Sequence, residues 1–172
     1  MRIAVISDVH GNLPALAAVL AAIGAEGADL TVNLGDLLSG YVQPAQTADR
    51  LIAAGLVTVR GNHERQVLTF APERMGMADR LTSEVITAEH REWMASLPML
   101  VEPAPGVLAF HGTPTDDLQY LLHTVTAAGA RGGGRVWTRW CSVWVTCRAI
   151  GWCCAGTPIW PGRCGCRTGP WW

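Results

Sequence analysis

The sequence contains no lysine, and its basic residues are 13 arginines. The formal net charge is −1 and the pI about 6.5, so the overall charge attracts neither nucleic acid nor an anionic membrane. No stretch approaches the roughly 18 apolar residues of a membrane span. The apolar run after the first methionine is too short for a signal peptide and lacks a cleavage site. We therefore expect a cytoplasmic protein, and 172 residues suffice for one ordinary domain.

Cysteine is absent from the first 140 residues, and no acidic residue follows Asp117. From residue 131 onward lie all 6 cysteines, 7 of the 8 tryptophans and six of the arginines. The composition therefore divides the chain into a domain over residues 1–128 and an aberrant Trp/Cys/Arg-rich tail over residues 129–172. We expect the tail to be disordered.

Short apolar strands alternate with helices in the first part of the chain. Strands are predicted at 2–7, 29–34 and 56–60, and helices at 15–23 and 46–54. Strand, helix and strand with short connections is the pattern of parallel βαβ units. Farther along, a helix is predicted at 87–97 with Thr87 as its cap, and a hairpin at 99–102 and 107–111. This order predicts an α/β fold.

Polar side chains with metal-ligating atoms follow these strands, and most of them lie beside a glycine. They are Asp8, His10, Asp36, Asn62, His63 and His111. The carboxyl ends of strands in such a sheet converge on one edge, where open α/β folds bind their ligands. Carboxylate, amide and imidazole donors suit first-row divalent ions, and the two oxygens of Asp36 can bridge two ions. The pattern predicts a dinuclear metal site.

Each of these residues also has an ordinary structural interpretation. Asp8 and Asp36 could be helix N-caps, and Asn62 could serve only the turn chemistry beside Gly61. A single histidine is more often a satisfied structural residue than a ligand, and we assign that role to His90 and His123. The separate interpretations do not explain why six such residues share the strand ends, so the metal site is favoured.

Four short motifs occur in order: DVHGN at 8–12, GD at 35–36, GNHE at 61–64 and HG at 111–112. Together they resemble the motifs of the calcineurin-like metallophosphoesterases, in particular their small bacterial branch of compact phosphodiesterases. The resemblance covers positions 1 to about 125. It implies an α/β fold of two packed sheets flanked by helices, from which the C-terminal strands are missing here.

The resemblance also implies the role of each residue. Asp8 and His10 would bind the first metal ion, Asn62 and His111 the second, Asp36 would bridge them, and His63 would protonate the leaving alkoxide or hold the phosphate. The implied activity is hydrolysis of a phosphomonoester or phosphodiester by metal-activated hydroxide. Manganese is the first choice for both ions, with iron, zinc and nickel left open. The expected partner is a small phosphate ester, with nucleic acid only as a phosphodiester substrate.

The family pattern ends with a Gly-His-x-His turn, but no histidine follows His123. A frameshift would explain this. When the residues from Val136 onward are back-translated and the possible codons are regrouped by one base, they permit but do not require a helix, a strand, a Gly-His-Thr-His turn across residues 155–159 and a hairpin. A run of G at residues 132–134 is the expected place for a lost base. We therefore expect weak or no activity from this chain.

Three alternatives remain. The tail could be genuine, with its cysteines binding zinc or forming disulfides, although their spacing lacks the paired C-x₂-C of structural zinc sites. The chain could be an inactive product that retains partial metal binding. Its arginine-rich tail could bind nucleic acid, which would require salt-dependent binding.

Overall fold

The computed structural model describes residues 1–121, together with the backbone of residues 123–125 and 131–133. Three strands form a parallel sheet in the order β1 (Ile3–Ile6), β2 (Leu30–Asn33) and β3 (Val57–Thr58). Helices α1 (Leu13–Glu26) and α2 (Pro44–Ala54) connect them. The predicted βαβ pattern is confirmed.

The ends of these helices follow from local residues. The Asn12 side chain accepts a hydrogen bond from the amide of Ala15 and caps α1, which ends at Gly27 in the left-handed conformation. Helix α2 begins with Pro44 and ends at Gly55, also left-handed. Both helices begin before the predicted positions because a proline in the first turn is compatible with the helix.

Three further helices follow β3: α3 (Asn62–Thr69), α4 (Met77–Val85) and α5 (Ala88–Ser96), with a 3₁₀ turn at Pro72–Arg74. Helix α5 confirms the prediction, since Thr87 caps it and His90 completes the capping box. The sequence did not predict α3 and α4. Both are short and mostly polar, so they lack the apolar stripe that identifies a helix from sequence.

The predicted hairpin is also confirmed, as β4 (Leu100–Ala104) and β5 (Val107–Phe110) pair in antiparallel fashion. A second antiparallel pair joins β6 (His123–Val125) and β7 (Arg131–Gly133), so β7 lies within the range expected to be a disordered tail. Residues 134–172, with the cysteines and the regrouped histidine turn, lie outside the described residues, as does the side chain of His123. Among the described residues, no helix has the length and apolarity to cross a membrane.

The core lies where the helices pack on the parallel sheet and on each other. Its buried apolar members come from β1, four of the helices and the segments beside them: Ile6, Leu16, Leu37, Leu38, Ala48, Leu51, Val67, Ile86 and Met94. Leu37 and Leu38 directly follow Asp36 in the sequence. Their burial therefore holds the loop after β2 in place, and the candidate site is built on that loop.

A partly buried ion pair ties α3 to the segment after β5. Arg65 donates two hydrogen bonds of 2.7 Å to the carboxylate of Asp117. This hydrogen-bonded guanidinium holds the pKa of Asp117 below its ordinary value. The pair therefore stabilises the fold above the unfolded pKa of about 3.9, and that stability is lost as pH falls through the lower folded pKa.

We expect Asp117→Asn to lower the free energy of unfolding at pH 7 by about 2 kcal/mol. Urea unfolding at pH 7 and pH 3 measures this loss, and the variant should differ less from the wild type at pH 3. Asp116→Asn is the matched control, because the side chain of this exposed neighbour accepts the amide of Leu118 through an oxygen that asparagine keeps, and it makes no hydrogen bond with Arg65. Equal losses at both pH values would contradict the assignment of the pair.

Candidate metal centre

The loops after β1 and β2 lie side by side and carry three of the predicted ligands. Three backbone hydrogen bonds of 2.9–3.1 Å run from the amides of Asp8, His10 and Gly11 to the carbonyls of residues 35–37. These bonds hold the two loops in one register. Asp8 and His10 are thereby placed beside Asp36 at the carboxyl edge of the parallel sheet, as predicted.

Asp8, His10 and Asp36 share an unusual backbone conformation. Their φ angles are 55°, 48° and 55°, and they are the residues other than glycine with positive φ in the described part of the chain. A side chain in this region costs about 1–3 kcal/mol and persists where the surrounding structure imposes it, often at functional sites. The fold therefore imposes strain on three residues whose side chains offer potential metal-ligand atoms.

Two histidines are oriented by backbone carbonyls. The Nδ1 atom of His10 lies 2.8 Å from the carbonyl oxygen of Ser39, and that of His111 lies 2.8 Å from the carbonyl oxygen of Leu34. A carbonyl only accepts, so Nδ1 is the donor in each ring, and Nε2 of the neutral ring carries a lone pair. This is the arrangement in which histidine ligates metals.

The potential metal-ligand atoms of these side chains lie in two groups. His10, Asp36 and His63 offer ligand atoms within 4.8 Å of one another, and so do Asp8, Asp36 and His111. Asp36 belongs to both groups, and its bridging role stays a prediction. The Nε2 atom of His10 lies 3.8 Å from Oδ1 of Asp8.

The side-chain oxygen of Asn62 also lies close to the second group. Nε2 of His111 lies 3.4 Å from Oδ2 of Asp36 and 3.2 Å from Oδ1 of Asn62. Carboxylate, amide oxygen and imidazole nitrogen atoms at this spacing can share one cation. The donor set therefore fits divalent ions, and this chemistry does not identify which metal is bound.

Glu64 holds this centre together without pointing into it. Its side chain is buried and accepts hydrogen bonds of 2.8–2.9 Å from the backbone amides of Asp36, Leu37 and Gly61. Burial and the nearby charge of Asp36 raise the pKa of Glu64, while the three amides act in the opposite direction. One carboxylate thus joins the loop after β2 to the start of α3. Glu64 is the last residue of the GNHE motif, and its role was not predicted from the sequence.

His63 is paired with a residue that the sequence analysis missed. Its Nδ1 atom lies 2.7 Å from Oδ1 of Asp79, a buried carboxylate on α4. Burial alone lowers the pKa of His63, but nearby carboxylates, chiefly Asp36 and Asp79, outweigh it and raise that pKa above its ordinary value. Asp79 lies 16 residues away in a helix that was not predicted, so no sequence signal linked the two residues.

The alternative roles for the two aspartates are wrong. Asn12 caps α1 and the backbone of Gln43 begins α2, so neither Asp8 nor Asp36 is the N-cap of the helix that follows its strand. Oδ1 of Asp36 instead accepts the amide of His63 in the first turn of α3. Asn62 is the first residue of α3, and its side-chain oxygen faces His111. His90, by contrast, has the structural role assigned to it. Its Nδ1 accepts the amide of Thr87 in the capping box of α5, and its Nε2 lies 2.9 Å from Oδ1 of Asp49.

A cavity of about 450 Å³ opens beside this centre. Asp8, His10 and His63 line its polar side, and residues 39–42 with Ala78 line much of the remainder. The cavity gives Asp8, His10 and His63 an approach from solvent. A ligand could therefore contact both the candidate metal ligands and the loop before α2.

The family model for calcineurin-like phosphoesterases matches residues 1–143. An uncharacterized protein of Methanocaldococcus jannaschii is 32% identical over 58% of this chain and 43% of its own length. The phosphodiesterase YfcE of Escherichia coli K12 is 38% identical over 39% of this chain and 42% of its own length. The chain thus spans less than half the length of these curated relatives.

Solved structures agree with the fold. A metallophosphoesterase from Sphaerobacter thermophilus is 32% identical, with a TM-score of 0.59, over 72% of this chain and 52% of that one. A structure titled as a putative diadenosine tetraphosphatase has a TM-score of 0.56 over 77% of this chain and 64% of that one. It is 22% identical, so it supports the fold alone.

Proposed function

Because this chain belongs to the calcineurin-like phosphoesterase family, we propose that it hydrolyses a small phosphomonoester or phosphodiester with the help of two divalent ions, manganese first among them. The observation that carries the proposal is the convergence of carboxylate, amide and imidazole ligand atoms around the buried Asp36, which a cation would stabilise. When bound, the ions would act as Lewis acids and make water a better nucleophile near pH 7. The cytoplasmic location stays a prediction from composition.

The side chains of the centre would bind the two ions and supply a proton. Asp8 and His10 would hold one ion, Asn62 and His111 the other, and Asp36 both. His63 would then stand beside the phosphoryl group and donate a proton to the leaving oxygen. The hydrogen bond between its Nδ1 and the carboxylate of Asp79 supports that role, because this contact favours the protonated ring and a general acid must carry its proton.

We further propose that this chain is impaired. The resemblance implies two more histidines in a Gly-His-x-His turn, and the sequence contains no histidine after His123. Each ion would then lack one imidazole. Loss of groups that act together reduces turnover more than their separate effects suggest, so weak or absent activity is expected here.

The test is to resequence the codons of residues 126–172 and to express the frame-corrected chain beside this one. Both are assayed with manganese on a chromogenic phosphodiester. A missing base near residues 132–134, with turnover only by the corrected chain, supports both proposals. Equal turnover by the two chains refutes the impairment. Absence of turnover in both refutes the phosphoesterase activity, and metal binding without turnover favours an inactive product.

Asp79 should matter for turnover through His63. Asp79→Asn weakens the hydrogen bond that orients the imidazole, so we expect turnover to fall about 10- to 100-fold with metal content unchanged. The measurement is kcat and KM in whichever of the two chains is active. We expect the loss in kcat, because the leaving oxygen gains its negative charge only as the reaction proceeds.

The matched control for that variant is Asp49→Asn. Asp49 also contacts a histidine, His90, but on the α2 and α5 side of the molecule and outside the candidate centre. The control should keep full turnover. A fall in melting temperature with unchanged kcat for Asp79→Asn would assign Asp79 to stability alone.

A further inference from the structure

The cavity beside the candidate metal centre has two chemically different sides. Asp8, His10 and His63 form a polar side, whereas Tyr41, Val42 and Ala78 contribute apolar surface. Its volume of about 450 Å³ falls within the range of cavities that bind organic molecules of moderate size. A phosphoryl group held by the polar side would therefore leave room for the organic part of the ester.

Tyr41 and Val42 are unusually open to solvent for large apolar residues. Tyr41 is 68% exposed and Val42 is 55% exposed. Single exposed apolar residues are common and need no explanation. Here, however, two adjacent ones border the cavity that also contains candidate catalytic and metal-binding side chains.

The loop that carries them is held in place from both sides. The amide of Gly40 lies 3.3 Å from the hydroxyl of Thr82, and a side chain at Gly40 would collide with the carbonyl of His10. The amide of Gln43 donates a hydrogen bond of 2.9 Å to the carbonyl of Gly11. The exposure of Tyr41 is thus a property of an anchored loop, which lowers the entropic cost of binding against it.

The charges around the cavity narrow the class of ligand. None of the described residues that line it is an arginine, and its ionisable groups are one carboxylate, two imidazoles and the phenol of Tyr41. The two imidazoles belong to His10 and His63, which are assigned to the metal ion and the phosphoryl group, so a second phosphate or carboxylate on the organic group would find no further cation among these residues. The organic group is therefore expected to be uncharged.

We propose that Tyr41, with Val42 beside it, binds a planar aromatic group of the substrate, so that the site prefers aryl or nucleobase-bearing phosphoesters to alkyl ones. An exposed aromatic ring offers a face for stacking, which favours flat rings over aliphatic groups of equal size. The inference rests on the proposed function only for the placement of the phosphoryl group beside Asp8, His10 and His63. It concerns recognition and does not require turnover.

The experiment measures binding to the full chain in excess manganese by isothermal titration calorimetry. The probes are phenyl phosphate, cyclohexyl phosphate and methyl phosphate, which separate aromatic stacking from apolar size. The wild type should bind phenyl phosphate about fivefold or more tightly than either of the others. Tyr41→Ala should remove that preference, and Tyr41→Phe should keep it because stacking does not need the hydroxyl.

Tyr120→Ala is the matched control, since Tyr120 is the second of the 2 tyrosines, is also exposed, and does not line the cavity. It should bind all three probes as the wild type does. The inference is overturned if the wild type binds none of the probes, if it shows no preference, or if Tyr41→Ala retains the preference.

Turnover of the same probes separates the two proposals. A protein that prefers phenyl phosphate through Tyr41, while neither this chain nor the frame-corrected chain hydrolyses any ester, supports the inference and refutes the proposed activity. A protein that hydrolyses all three probes with equal affinity supports the activity and refutes the inference.

Discussion

Replacing Asp36 by asparagine should remove metal from both positions of the candidate centre. Asp36 is the residue shared by the two groups of potential ligands, and its side chain is buried. One of its oxygens accepts the amide of His63 at 3.1 Å, and the other lies 3.4 Å from Nε2 of His111. Asparagine keeps the size but replaces one oxygen by a donor and removes the charge that would balance two cations.

The expected loss of manganese affinity is large. Changes to groups that only orient ligands already cost about 10- to 100-fold, so removal of the shared ligand should cost at least about 100-fold. Titration calorimetry with manganese measures the affinity and the number of ions bound per chain. The frame-corrected chain with the same substitution should lose its turnover as well.

Asp49→Asn is the control here too, because Asp49 is an exposed carboxylate outside the centre. It should bind manganese as the wild type does. If Asp36→Asn still binds two ions with wild-type affinity, the bridging assignment is wrong, and the convergence of Asp36 with His111 must serve the fold alone.

The second large effect should come from Glu64→Gln. The carboxylate accepts three backbone amides from two different loops, and the side chain is about 1% exposed. Glutamine presents an NH₂ group to at least one of these amides, so a buried donor loses its acceptor and gains a repulsive neighbour. We expect the free energy of unfolding to fall by about 3 kcal/mol or more.

Urea unfolding of the metal-free protein measures this effect without any contribution from bound ions. Glu84→Gln is the matched control, since Glu84 makes an exposed pair with Arg80 within α4 and should change stability by less than about 0.5 kcal/mol. Wild-type stability of Glu64→Gln would show that the three amides find other acceptors. The loops would then be held by their backbone contacts alone.

Much of the fold followed from local pattern. The parallel strands were predicted because short β-branched and apolar runs alternate with helices that have clear ends, as at Gly27 and Gly55. The hairpin and the cap at Thr87 were predicted for the same reason. Helices α3 and α4 were not, because their polar sequences become helical only when packed against the rest of the domain.

The sequence by itself determined which residues could bind metal, because ligand chemistry and position at the end of a strand are both local properties. Asp8 and Asp36 follow neighbouring strands of the parallel sheet, whereas His111 follows β5 of the separate antiparallel pair, and the ligand atoms of all three meet in one group. The local geometry around them was decided by tertiary structure. It includes the positive backbone φ angles and the two imidazoles held by backbone carbonyls.

Only the tertiary structure assigned roles to Glu64, Asp79 and Tyr41. Glu64 accepts the amides of Asp36 and Leu37, which lie 28 and 27 residues earlier in the chain. Asp79 contacts His63 from a separate helix. Tyr41 borders the cavity because its loop is anchored to residues on other elements. Such contacts depend on how elements pack, and no periodicity or spacing in the sequence encodes the direction in which a loop presents its side chains.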